Sequence, residues 1–288
     1  MITHMSLARH GRGVGADVGA LASQVHPVFM LPPLASSWFG AFLAGLESTP
    51  LAAVHATAVF AGLYTAHVKD GYVDFHVRGE DDDHPLTVRG CHLAIAGATL
   101  LFICCVAVIA VLAGPWAALL TAPGWVIGYL HAPQLDMHPV TATGGYPAGI
   151  ALALLGGYFV QAGALSAVAI ALAATVLVVL SGIKVIDDAK DYEYDRSIGK
   201  RTVAVVLGRE RARRTAYGLM ALGLLTVAAL AAVGVLPPSA AVAPAVFALV
   251  ALTTRRADDE HTTMLLIRGS YLFLAVLVAA TWFRPLVS

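Results

Sequence analysis

Carboxylates spaced three or four residues apart occur at two places in the sequence, each where an apolar run ends. The first set is Asp70 and Asp74, and the second is Asp188, Asp191 and Asp195. Residues at these spacings share one face of a helix. We therefore predict two carboxylate stripes, each on a helical continuation of an apolar segment.

Crowded carboxylates repel one another unless a cation lies between them. Mg²⁺ suits such a site, because it binds through a few carboxylates and keeps its other positions for water and phosphate oxygens. We therefore predict Mg²⁺ as the cofactor. Its predicted ligands are Asp70, Asp74, Asp188, Asp191 and Asp195.

Basic residues accompany both stripes. With the metal, they would stabilise the charge that builds up on a departing diphosphate. The predicted diphosphate-binding residues are Lys69, Arg78, Lys200, Arg201 and His67, and the predicted catalytic residues are Asp70, Asp74, Asp191 and Asp195. For His67, a helix-end position without a catalytic role is an open alternative.

Two further groups of ligating residue types are interpreted as structural. The run EDDDH, from Glu80 to His84, lacks helical spacing and is predicted to be a solvated loop. The three cysteines, Cys91, Cys104 and Cys105, lie at the start of one apolar run or inside it. They are predicted to be core or lipid-facing residues rather than a disulfide or a metal set.

The elements that must position the two stripes are apolar. Of the 288 residues, 58% are hydrophobic and 12% are charged, whereas a soluble globular domain carries about twice that charged fraction. The mean hydropathy is +0.77. Apolar runs recur along the whole chain, which predicts an all-α, multi-pass integral protein of the cell membrane. The formal net charge is zero, so no nucleic-acid partner is expected.

The apolar runs give nine candidate membrane spans. We predict a disordered tail over residues 1–25 and one transmembrane domain over residues 26–288. The spans are 27–46, 51–67, 91–112, 114–131, 146–162, 164–186, 214–235, 239–254 and 264–283.

The basic residues predict how these spans are oriented. With a cytoplasmic N-terminus, every Lys and Arg except Arg284 falls on or next to the cytoplasmic side, as the positive-inside rule expects. Both aspartate loops then lie in the cytoplasm, where they can meet, and the C-terminus lies outside.

At the level of motifs, the sequence resembles the UbiA superfamily of intramembrane prenyltransferases. The second stripe lies in DDAKDYEYDRSIGKRTVAVVLG, which resembles the superfamily pattern D-x-x-D-x-x-x-D followed by G-K-R-T. Asp70 and Asp74 match the aspartates of N-x-x-x-D-x-x-x-D. The segments HPL (His84–Leu86) and HAPQL (His131–Leu135) resemble R-P-L and Y-S-x-P-L. The resemblance extends from about residue 26 onward.

The resemblance implies a nine-helix membrane enzyme that transfers a prenyl group from a polyprenyl diphosphate to a lipophilic acceptor, among membrane lipids. The chain departs from the pattern at three positions, since Ala66, His84 and His131 stand where Asn, Arg and Tyr are usual. These changes leave open a terpene cyclase or lycopene-elongase-like enzyme of the same fold. A transporter or cation-binding protein is an alternative of another class, but its charged site is usually expected near mid-membrane.

Overall fold

The computed structural model describes residues 6–254 and 259–283, which form helices joined by short connections. Two predictions fall partly outside the described residues. The predicted tail includes the first five residues, and the topology prediction includes Arg284. The helices are α1 Val14–Ala22, α2 Pro27–Leu43, α3 Thr49–Gly71, α4 Val88–Ala113, α5 Pro115–Leu130, α6 Pro139–Ala162, α7 Ala167–Lys190, α8 Tyr192–Ser197, α9 Val203–Leu207, α10 Arg209–Ala232, α11 Val242–Thr254 and α12 Asp259–Phe283.

The predicted all-α membrane fold is confirmed. Each predicted span coincides with one of the long helices α2–α7 and α10–α12. Among the described residues, five segments are long and apolar enough to cross a membrane: Thr49–Arg78, Val88–Ala113, Ala167–Lys190, Arg209–Ala232 and His261–Phe283. The apolar helices over Pro27–Leu43 and Pro238–Thr254 are shorter. The number of crossings therefore stays a prediction.

The helices approach closely where glycine leaves room. A Cβ atom at Gly157 of α6 would overlap the backbone carbonyl of Ser37 in α2, and one at Gly40 would overlap the carbonyl of Leu154. Small residues allow such backbone contacts between membrane helices. The largest buried apolar cluster then joins α2, α6, α7, α10, α11 and α12. This core fixes the helices around a central cavity.

Two helices change geometry where they reach the predicted surface. α3 continues into a π-helical turn, Tyr72–Arg78, which Gly79 ends with a positive φ of 64°. α5 continues into a second π-type turn, His131–Leu135, interrupted at Ala132. Such turns frequently occur at functional sites. They place the first aspartate motif and the HAPQL segment at the same end of the bundle.

The structure corrects the prediction that Asp188, Asp191 and Asp195 share one helical face. α7 ends at Lys190, and Asp191 has non-helical backbone angles (φ −90°, ψ 14°) before α8 begins. The chain turns again at Gly199, whose φ is 76°. These breaks re-aim the side chains, so spacing alone does not predict where they point.

The N-terminal segment is also ordered where the sequence predicts a disordered tail. The carboxylate of Asp17 in α1 accepts hydrogen bonds from the Ser6 hydroxyl (2.9 Å) and from the backbone amides of Leu7 (2.8 Å) and Ala8 (2.9 Å). Ala8 then pairs with Leu86 in an antiparallel bridge. Contacts between residues distant in sequence order this segment without an apolar run, which is why composition does not indicate it.

Candidate active site

A cavity of about 640 Å³ lies between the helices and reaches the end of the bundle that carries both aspartate motifs. Helices α2, α3, α5, α6 and α7 contribute most of its wall. This volume lies within the range of about 300–1,000 Å³ that is usual for small-molecule sites. The cavity is therefore large enough to hold a substrate.

One face of α3 explains why the cavity has an apolar interior and a charged mouth. Val59 and Leu63 line the interior, and Asp70 and Asp74 line the mouth. From His55, which also lines the cavity, to Asp70, a helix at 1.5 Å per residue rises about 22 Å. The same wall therefore leads from apolar side chains to carboxylates along the length of a membrane helix.

The first aspartate region, residues 69–84, presents Asp70 and Asp74 to the cavity. Arg78 lies beside them, but its guanidinium donates to Asp74 (3.3 Å) and more closely to Asp136 (2.8 Å). Asp136 is buried. Arg78 thus links the π-helical turn to the segment after α5.

Lys69, a predicted diphosphate ligand, is directed elsewhere. Its ammonium donates to the backbone carbonyl of Tyr129 (2.5 Å) and lies 3.9 Å from the centre of the Tyr129 ring. Gln134 offers a further oxygen at 3.4 Å. Lys69 is buried and is not part of the cavity wall. The contacts indicate that it joins α3 to α5.

The second aspartate region, residues 184–201, contributes Lys184 and Asp187 to the cavity wall. The predicted site did not include either residue. A signal for Asp187 was present, because it precedes Asp191 by four residues and Asp195 by eight. Asp188, which was predicted as a metal ligand, is only 4% exposed and accepts a hydrogen bond from Lys184 at 2.5 Å. The structure therefore places Asp187, and not Asp188, on the cavity.

The other predicted residues of this region lie around the turn at α8. Asp191 is exposed, and Asp195 is 2% exposed and 3.6 Å from the ammonium of Lys200. Burial raises the pKa of the Asp195 carboxyl, and the Lys200 charge opposes that shift. Arg201 is exposed, and neither it nor Lys200 lines the cavity.

The two aspartate regions meet at the same end of the bundle, as predicted. Asp70 and Asp74 of the first region and Asp187 of the second region line the same cavity. The backbone amide of Arg201 donates to the carbonyl of Met137 (3.4 Å), next to Asp136. Asp74 and Asp187, which lie far apart in the sequence, are therefore brought to one cavity.

Histidines surround the mouth next to Asp70. His67 lines the cavity, and its ring centre lies 4.9 Å from that of His26. Its buried Nδ1 atom has no hydrogen-bond partner among the described residues. His26 and His131 also line the cavity. Sequence analysis missed His26 as a site residue, since it precedes a span without any motif.

The residues present fit a magnesium ion. One lysine, Lys184, lines the described cavity together with five carboxylates, those of Asp70, Asp74, Asp81, Asp83 and Asp187. These aspartates offer carboxylate oxygens, which are the ligands that Mg²⁺ prefers. In addition, Asp188 Oδ2 and Asp136 Oδ1 are buried without a hydrogen-bond partner in the described part of the chain. The site therefore has more negative charge than its own cations balance.

Comparisons with known proteins agree with this arrangement. The UbiA homologue from Aeropyrum pernix K1, in its apo structure, is 18% identical to this chain with a TM-score of 0.70 and covers 91% of this chain and 100% of its own. A structure described as giving insights into the biosynthesis of digeranylgeranylglyceryl phosphate synthase in membranes is 12% identical, with a TM-score of 0.69 and coverages of 93% and 97%.

The UbiA homologue from Archaeoglobus fulgidus bound to GPP and Mg²⁺ is 17% identical, with a TM-score of 0.59 and coverages of 93% and 99%. No relative was found among curated protein sequences. Residues 33–277 match the UbiA prenyltransferase family. Because this match spans most of the sequence, the chain belongs to the UbiA prenyltransferase family, as the sequence resemblance predicted.

Proposed function

We propose that this integral membrane protein transfers a prenyl group from a polyprenyl diphosphate to a lipophilic acceptor, in a reaction that requires Mg²⁺. One observation carries the proposal: a single cavity joins an apolar interior to a mouth lined by Asp70, Asp74 and Asp187. A polyprenyl diphosphate has the same division, with an apolar tail and a highly charged head.

The proposed metal ligands are Asp70, Asp74 and Asp187, with Asp191 and Asp195 following Asp187 at spacings of four. When bound, Mg²⁺ would neutralise the diphosphate and stabilise the charge on it as it leaves. Asp188 suits this role less, because it already pairs closely with Lys184.

Lys184 and His67 are the side chains placed to contact the diphosphate. Both line the cavity, and His67 Nδ1 has no partner of its own among the described residues. Deeper in the cavity, Val59, Leu63 and Ile150 would surround the tail. Exclusion of water by this wall would protect an allylic cation from hydrolysis.

Solved structures of a homologue support Mg²⁺ and a prenyl diphosphate as ligands. The Archaeoglobus fulgidus homologue has been determined with GPP and Mg²⁺ and with DMAPP and Mg²⁺. The proposal for this chain rests on its own carboxylates, which stand in the same kind of fold.

A terpene cyclase or lycopene-elongase-like activity is the second candidate. Ala66, His84 and His131, which replace the usual Asn, Arg and Tyr, all line the cavity. The changes therefore fall where a substrate would be contacted and favour an acceptor different from that of other members. A transporter is less favoured, because the carboxylates lie at one end of the helices.

Diphosphate release tests the proposal. The purified protein in detergent would receive an allylic prenyl diphosphate and a lipid extract of the source cells as the supply of acceptor. We expect release that stops in EDTA and returns when Mg²⁺ is added in excess. Release that continues unchanged in EDTA would remove the metal from the mechanism. No release with any chain length tested would favour the transporter.

A further inference from the structure

A second cluster of side chains that can bind a metal ion is separate from the aspartates that line the cavity. Ligand atoms of His76, His84 and Cys91 all lie within 4.8 Å of one another. Cys91 is fully buried and His84 is 4% exposed. The Sγ atom of Cys91 is 4.0 Å from Nδ1 of His84. The sequence did not indicate this cluster, because its members are eight and seven residues apart and follow no metal-binding pattern.

Three different pieces of backbone bring these residues together. His76 is on the π-helical turn, His84 is in the loop that follows, and Cys91 is in the first turns of α4. The Thr87 hydroxyl caps α4 by accepting from the Gly90 amide (3.0 Å). The bridge from Ala8 to Leu86 holds the loop from the other side. The cluster is therefore positioned by secondary structure rather than by a mobile tail.

Each imidazole presents one nitrogen to the Leu86 backbone within the cluster, and a bound metal ion would replace these hydrogen bonds. His76 Nε2 and His84 Nδ1 each lie 3.1 Å from the Leu86 carbonyl, and the Leu86 amide lies 3.2 Å from His84 Nδ1. His84 Nε2 is buried without a partner in the described chain.

We propose that His76, His84 and Cys91 bind a divalent transition-metal ion of the Zn²⁺ class, separate from the magnesium site. Imidazole and thiolate are the ligands such ions prefer, whereas Mg²⁺ prefers oxygen. Three protein ligands leave one position for water or the Leu86 carbonyl. Binding converts the Cys91 thiol to a thiolate and releases one proton to solvent.

The geometry requires only a small contraction. With Zn–N bonds of about 2.0–2.1 Å and a Zn–S bond of about 2.3 Å, tetrahedral ligand atoms lie roughly 3.4–3.6 Å apart. The observed spacings of up to 4.8 Å exceed this by at most about 1.2–1.4 Å, within reach of side-chain rotation.

Such an ion would serve the neighbouring cavity as a positioning element. It would tie the turn that carries Asp74 to α4. A metal on Nδ1 of His84 also fixes the ring proton on Nε2. His84 lines the cavity, so the metal would determine which tautomer the cavity wall presents.

A titration with Co²⁺ tests the proposal. The full-length protein in detergent, stripped of metal and then held in excess Mg²⁺, would receive Co²⁺ while near-ultraviolet absorption is recorded. Mg²⁺ occupies the carboxylates, so a thiolate-to-cobalt band reports the cysteine site alone. We expect the band to saturate at one equivalent and to disappear when Zn²⁺ is added.

Matched variants assign the band to its ligands. Cys91→Ser should abolish it, whereas Cys104→Ser and Cys105→Ser should retain it, because those cysteines lie farther along α4. His76→Gln should weaken Co²⁺ binding more than tenfold while the protein remains folded.

No thiolate band in the parent protein, or a band that survives Cys91→Ser, would overturn the proposal. If Cys91→Ser fails to fold, unchanged Co²⁺ affinity in His76→Gln would overturn it instead. Neither result bears on diphosphate release.

Discussion

The first and second aspartate regions carry similar numbers of carboxylates, but their basic residues are used differently. In the second region, Lys184 pairs with Asp187 and Asp188, and Lys190 pairs with Asp187 at 2.7 Å. In the first region, Lys69 is directed to the Tyr129 carbonyl, and Arg78 is shared with Asp136.

This difference indicates how much each region depends on a bound cation to neutralise its carboxylates. The second region balances much of its charge within one helix end. The first region keeps Asp70 and Asp74 on the cavity with Glu80 and Asp81 nearby, and Arg78 opposes them only in part. An added cation therefore matters most to the first region, and lysine pairing matters most to the stability of the second.

The largest expected effect is on turnover, from Asp74→Asn. This change keeps the shape of the side chain but removes a charge that the proposed metal requires. Loss of one major electrostatic contribution to a transition state costs about 3–4 kcal/mol, or roughly 10²–10³-fold in rate. Diphosphate release at saturating Mg²⁺ measures it. The matched control is Asp82→Asn, an exposed residue that does not line the cavity. Equal losses in both variants would contradict the assignment.

An intermediate effect is expected on stability, from Asp188→Asn. The variant removes the closest partner of Lys184, and a hydrogen bond to a charged group contributes about 2 kcal/mol. In Mg²⁺-free detergent, its melting temperature should fall. Asp74→Asn should instead leave the melting temperature unchanged or slightly higher, because neighbouring carboxylates then repel less.

A second substitution separates loss of the pair from loss of packing. In Asp188→Asn, Lys184 keeps only its longer pair with Asp187. Adding Lys184→Gln removes this partly compensated charge and should recover part of the lost stability. If Asp74→Asn destabilises the protein as much as Asp188→Asn does, the two regions are not neutralised differently, and the comparison fails.

The sequence predicted the fold and the location of both motifs better than the direction of individual side chains. Apolar runs located the long helices because membrane spans need continuous apolar stretches. The same reasoning placed Asp188 on the metal face, whereas the end of α7 at Lys190 leaves Asp187 on the cavity. A helix end inside a charged motif has no reliable sequence signal. The sequence therefore could not predict which of these aspartates faces the cavity.

Tertiary contacts account for the other differences. Asp17 orders the N-terminal segment by accepting from amides nine and ten residues away, which no local pattern reveals. His84 falls in a run that was interpreted as solvated, and its neighbours Glu80–Asp83 are indeed exposed. His84 itself is buried because the loop turns back towards α4.

The smallest effect on function is expected from cysteines that report membrane sidedness. Asp82→Cys and Ser197→Cys, each in a Cys104→Ser background, change exposed residues, one in each aspartate region. Such surface changes usually alter stability by less than about 0.5 kcal/mol, so diphosphate release should be nearly unchanged. Glu47→Cys, in the exposed connection between α2 and α3, serves as the control for the opposite face.

The labelling pattern separates the structural argument from the charge argument. Asp70 and Asp74 line the same cavity as Asp187, which requires both regions to lie on one face. The positive-inside rule then predicts that this face is cytoplasmic. A membrane-impermeant maleimide should therefore label Glu47→Cys in intact cells, and the other two only in inverted vesicles. Opposite sidedness of Asp82→Cys and Ser197→Cys would contradict the structure. Labelling of both from outside would show that the protein has the opposite orientation in the membrane. The comparison of the two regions would still hold, because the pairing of their charges depends on contacts within the bundle and not on the compartment that they face.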